Sequence, residues 1–159
     1  MSTNPDDAVS AVVSDLAQRM NTQSSTGVDE SAFNLFDRSP HAWGKVAAWS
    51  KKRGEFEKRT AFALLWSLSV HDKAAGDEPF VRGLALIESA ASDERNFVKK
   101  AVNMALRAIG KRNDVLNTAA VTVARRLADS TDTTAQWVGK DALRELTSPL
   151  LAQRIAALR

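Results

Sequence analysis

The 159-residue chain contains no cysteine. Disulfides, thiolate metal sites and a cysteine nucleophile are therefore excluded. Histidine is scarce as well: His41 and His71 stand far apart and show no metal-ligand spacing, so neither a metal nor a cofactor is expected. No apolar run is long enough to span a bilayer, and Asp6 and Asp7 interrupt the start of the chain where a signal peptide would need an apolar stretch. The expectation is a cytoplasmic protein with no membrane association. Strand-type alternation is missing too, since the β-branched cluster Val121-Thr122-Val123 is surrounded by alanines that favour helix. The formal net charge is only +3. Overall charge therefore does not argue for nucleic acid, and only its placement can.

Apolar residues make up 44% of the chain and charged residues 26%, ordinary proportions for one globular core over residues 1–159. The pattern is all-α. Asn4 and Pro5 read as cap and first position of a helix through about Met20, followed by the polar loop Asn21 to Gly27. Short helices follow from Asp29 to Phe36 and from Ser39-Pro40 to the basic run Lys51-Lys52-Arg53, which reads either as a solvated helix end or as a second phosphate contact. A segment from Glu55 to about His71 is apolar on most sides. After a loop with Gly76 and Pro79 come helices ending near Ala91, from Asp93, from Asp114 to Ala128, from Thr133 to Leu146, and after Ser148-Pro149. The total is eight or nine.

The stretch from Asp93 to Asn113 organises the chain. Asp93 suits a cap, and Phe97, Val98, Ala101, Val102, Ala105, Leu106 and Ile109 recur at spacings of three and four, an apolar stripe along one helix. Lys99, Lys100, Arg107, Lys111 and Arg112 supply a basic flank. Gly110 and Asn113, residues that tolerate a left-handed turn, end the helix. Four tryptophans, Trp43, Trp49, Trp66 and Trp137, are expected to pack between helices, as bulky aromatics at helical spacing do.

Self-comparison adds a repeat. Phe56 to Ala61, Phe97 to Val102 and Trp137 to Ala142 each open a helix as aromatic-x-x-basic, 41 and 40 residues apart. That is the length of a two-helix HEAT-like unit. Stacking such units buries a shared core and lines one concave surface with the inner helices, so Arg59, Lys100 and Lys140 are predicted to hold equivalent positions in that lining. A helix's first turn disfavours cations. Their recurrence there fits a groove that receives the phosphates of a nucleic acid.

The segments NLFDRSP (Asn34 to Pro40), WSKKRGEFEKRTAFAL (Trp49 to Leu64), VHDK (Val70 to Lys73) and DERNFVKKAV followed by ALRAIGKRN resemble the AlkD-like DNA alkylation repair family of HEAT-like repeat proteins. The likeness runs from about Asp29 to the C-terminus. It implies an α-solenoid, with residues 1–27 as a leading helix and loop and 28–159 as the repeats. It also implies a glycosylase that removes cationic alkylpurines, such as 3-methyladenine and 7-methylguanine, from double-stranded DNA. Carried over by position, the family's acid falls on Asp29 and its backbone-binding arginine on Arg59, making these the expected catalytic pair. Lys58, Arg59, Lys99, Lys100, Met104, Arg107 and Lys140 become the expected DNA contacts. The two tryptophans that flank the nucleotide in the family fall on Ser25 and Met104. Neither is aromatic, which keeps a weak or inactive relative, acting as a DNA- or protein-binding module, as the alternative. Without the resemblance, Asp29 reads as a helix cap. The N-terminal repeats of the family are reduced to one helix, and a homo-oligomer formed through that end would cover it.

Overall fold

A computed structural model describes residues 41–158 of the chain. Seven helices lie within them: α1 (Ala42–Trp49), α2 (Glu55–His71), α3 (Glu78–Ala90), α4 (Asn96–Gly110), α5 (Asp114–Ala128), α6 (Thr133–Leu146) and α7 (Pro149–Ala157). Among the described residues there is no strand. The helices expected before residue 41 and the loop between them lie outside the described residues.

The helices alternate between two layers. The even-numbered ones pack side by side, α2 on α4 and α4 on α6, while α1, α3 and α5 form the second layer behind them. Each odd helix and the next even one make a hairpin, so the fold is an α-solenoid of HEAT-like pairs. The inner helices run parallel. Arg59 near the start of α2 reaches Phe97 at the start of α4, and Arg112 just past the end of α4 bonds Ser69 near the end of α2.

Caps fix three of the starts. Asn113 Oδ1 accepts from Leu116 N at 2.9 Å, Asp132 Oδ1 from Ala135 N at 2.8 Å, and Ser148 Oγ from Leu151 N at 3.3 Å. Each satisfies one backbone donor that a helix leaves unpaired. The ends of α4 and α6 are joined by Asn117, whose Nδ2 donates to Gly110 O and Leu146 O.

The core follows the three-four spacing. On α4 it comprises Val98, Ala101, Val102, Ala105, Leu106 and Ile109. Nine residues of α2 are buried, as befits a helix flanked by α1 and α4. Four sequence expectations are corrected. Phe97 does not belong to the core stripe but is 43% exposed. Asp93 does not cap α4, which begins at Asn96 after an N-cap at Arg95; the Asp93 carboxylate is taken instead by Arg95 and Lys58. Gly110 supplies no left-handed turn, because no described residue has a positive φ. It is small because the Leu146 side chain and Ala120 press on it. Arg112 is not on a basic flank: it turns inward and stacks over Phe80 at 3.8 Å.

Candidate functional site

The starts of the three inner helices form one exposed edge. On α4 the residues at 97, 100, 104, 107 and 111 share a stripe by helical spacing. Phe97, Lys100, Met104 and Lys111 are exposed along it. The same register gives Phe56 and Arg59 on α2 and Trp137 and Lys140 on α6. Phe56, Phe97 and Trp137 are 43%, 43% and 42% exposed, so all three repeat aromatics face outward. Trp137 thus departs from the expectation that it packs between helices. Trp43, Trp49 and Trp66 lie partly buried against the core.

Two cations cross between neighbouring helices to reach these rings. The Arg59 guanidinium lies 4.6 Å from the centre of Phe97, and Lys99 Nζ lies 4.8 Å from the centre of Trp137. An aromatic face is electron-rich and attracts a cation at this range, by about 0.5–1 kcal/mol where water has access. This attraction helps offset the unfavourable field of the helix start.

The other expected contacts differ in environment. Lys100 and Lys140 are exposed, one turn beyond Phe97 and Trp137. Lys58 pairs with Asp93 at 2.9 Å, with only 19% of its side chain exposed. Arg107 donates to Glu145 Oε2 at 2.8 Å and Lys111 to Glu145 Oε1 at 2.7 Å. Met104 is 40% exposed on the same stripe. Asp29 and Ser25 lie outside the described residues.

The carboxylates behind this edge are held ionised. Hydrogen bonds from Arg95 keep the Asp93 carboxyl far below the usual carboxylate range; burial opposes this, and Lys58 adds to it. Burial is the largest influence on Glu145 and would raise it, yet the bonds and charges of Lys111 and Arg107 outweigh burial and leave it lowered. Arg95 also donates to Arg53 O at 2.9 Å, tying the α1–α2 loop to the start of α4. Lys51, Lys52 and Arg53 in that loop are exposed. Farther along, an open hollow of about 540 Å³ sits between the ends of α2 and α4, lined by Trp66, Val70, Lys73, Lys111, Arg112 and Leu158 among others. Among the described residues no group of three or more His, Asp or Glu side chains could hold a metal ion. No described helix is long and apolar enough to cross a membrane.

Sequence reasoning did not assign the exposed aromatics to the site. The signal was present, because Phe56, Phe97 and Trp137 recur at the repeat length, but a large apolar side chain reads first as core.

A family model described as DNA alkylation repair enzyme matches residues 6–146. No curated protein and no solved structure matches the chain.

Proposed function

The chain belongs to the DNA alkylation repair enzyme family, and from that premise we propose that it binds duplex DNA along the exposed edge of α2, α4 and α6 and excises cationic alkylpurines. The observation that carries this reading is the family match over residues 6–146. The recurrence of an exposed aromatic with a cation one turn later in each repeat supports it. Phosphates repeat along a duplex, and cations repeating along a solenoid offer them a row of contacts.

The chemistry asks little of the protein. A purine alkylated at N3 or N7 is positively charged, and it leaves with the electron pair of the glycosidic bond as a neutral base. Water then adds to the sugar carbon and releases a proton. The catalyst has to stabilise the oxocarbenium-like sugar and orient that water. Asp29 takes this part in the proposal, on the family resemblance. Arg59 holds the adjacent phosphate, and Met104 packs against the sugar with its flexible thioether. A stacked aromatic contributes about 1–3 kcal/mol per nucleotide. Exchanging two of them for Ser25 and Met104 therefore predicts a slow enzyme.

Single-turnover release of 7-methylguanine from duplex DNA tests the proposal. The expected result is release above the spontaneous rate, reduced to background by Asp29→Asn with DNA binding retained. Binding without release would identify the protein as a DNA-binding relative that has lost catalysis.

A further inference from the structure

We propose that Trp137 is a positioning residue for DNA binding: it holds Lys99 at the exposed edge, ready for a phosphate, and does not itself stack on the DNA. The inference rests on the duplex-binding reading above.

The cations of this face are held in two different ways. Lys58 and Arg107 are fixed by carboxylates, Asp93 and Glu145. A carboxylate fixes a cation but also cancels its charge, and a phosphate must then displace it. Lys99 is held by a ring: its Nζ is 4.8 Å from the centre of Trp137, and no described carboxylate lies within ion-pair range of it. A ring attracts a cation through its quadrupole and carries no net charge, so Lys99 keeps its full positive charge. A free lysine side chain also has rotamer freedom to lose on meeting a phosphate. Resting on the ring, Lys99 has given up part of that freedom before DNA arrives.

Trp137 itself is 42% exposed and lies in the second turn of α6, while Lys99 belongs to α4. The contact thus crosses from one repeat to the next. Arg59 on α2 also reaches across to Phe97 on α4, at 4.6 Å. Lys100, and not Lys99, is the counterpart of Arg59 in the repeat, so the two contacts share the bridging of neighbouring helices and not one register position.

The test is a double-mutant cycle on duplex affinity, measured by titration over a range of salt with the full chain. Lys99→Ala is expected to make the plot of log affinity against log salt shallower by about 0.9. Trp137→Leu is expected to weaken binding about two- to fivefold with the wild-type slope, since the charge remains. Trp137→Phe, which keeps a ring, is expected to restore most of that loss. In the Lys99→Ala background, Trp137→Leu is expected to change nothing further. A further loss in that background would mean that Trp137 touches DNA directly, which overturns the proposal. Equal affinities for wild type and Trp137→Leu would overturn it too, with duplex binding still standing. Absence of salt-dependent binding by the wild type would overturn both readings together.

Discussion

Arg112→Met is expected to lower the stability of the fold by about 3 kcal/mol. The reason lies in how many elements one guanidinium joins. Its Nη1 donates to Ser69 O in the last turn of α2 at 2.8 Å, and its Nη2 to Ala75 O in the loop before α3 at 3.3 Å. Its Cζ lies 3.8 Å from the centre of the Phe80 ring on α3, and Phe80 in turn meets Trp43 of α1 edge-on at 5.0 Å. Hydrogen bonds from a charged donor contribute about 1.5–3 kcal/mol each, and a carbonyl left without its donor in a half-buried site adds a further cost. Burial lowers the Arg112 pKa, against the fields of Asp72 and Asp77, but an arginine starts so high that it stays charged at neutral pH. Methionine keeps the apolar stem and removes every polar contact. Lysine, a point charge on a flexible stem, reaches one carbonyl without the stack and is expected to recover less than half of the loss. Urea unfolding with an unchanged slope measures both. A loss under 1 kcal/mol for Arg112→Met would show that these contacts carry little of the fold.

Gly139→Ala should also destabilise, by about 2 kcal/mol, although alanine is the better helix former. A Cβ at Gly139 would sit 2.6 Å from Ala124 O and 2.7 Å from Leu127 C, backbone atoms of α5 that cannot rotate away. Relief requires prising α6 from α5 along their hairpin. Overpacking of this kind costs about 1–3 kcal/mol or more, against a helix-propensity gain of about 1 kcal/mol. Gly44 is the internal control: it lies in α1, and nothing among the described residues falls within 4 Å of the same added atom. Gly44→Ala is expected to stabilise by about 0.5–1 kcal/mol. Thermal unfolding of the two variants should therefore shift in opposite directions. A shift of the same sign in both would mean that α5 and α6 do not approach so closely.

These two residues also mark what could be read in the sequence and what could not. The start of α7 is legible because Ser148-Pro149 signals it locally, and Ser148 does accept from the helix it opens; Asn113, which reads as the end of α4, instead caps α5, and Asp132 caps α6 without having been singled out. The repeat was legible because an aromatic and a cation recur at 41 and 40 residues. What escaped was tertiary. Arg112 read as one more cation of a basic flank, since nothing within its own helix tells that Ser69, 43 residues earlier, needs its donor. Lys58 and Arg107 read as free cations, but their carboxylates Asp93 and Glu145 lie in other segments of the chain. Asp93 read as a cap because an acid before a helix usually is one. Arg95, two residues on, bonds it from the side chain and the backbone alike. Helical spacing reveals that a stripe exists, but on a helix packed from two sides it does not say which stripe faces water. Phe97 and Trp137 read as inward-facing for that reason, yet both are exposed.

For the candidate site, charge placement was the legible part. Arg59, Lys100 and Lys140 follow from the repeat alone, whereas the rings beneath Arg59 and Lys99 needed coordinates. The difference matters physically. Cations paired to Asp93 and Glu145 brace the solenoid, whereas Lys100 and Lys140 are exposed on the inner helices.

Duplex binding as proposed requires Arg59, Lys100 and Lys140 to meet phosphates. The most direct measurement is the salt dependence of duplex binding by the triple variant Arg59→Ala, Lys100→Ala, Lys140→Ala, set beside a variant that removes Arg82, Arg125 and Arg126 from the outer helices. The account predicts a slope shallower by about 2.7 for the inner triple and little change for the outer one. Parallel plots for wild type and the inner triple, or an equal change from the outer one, would contradict it.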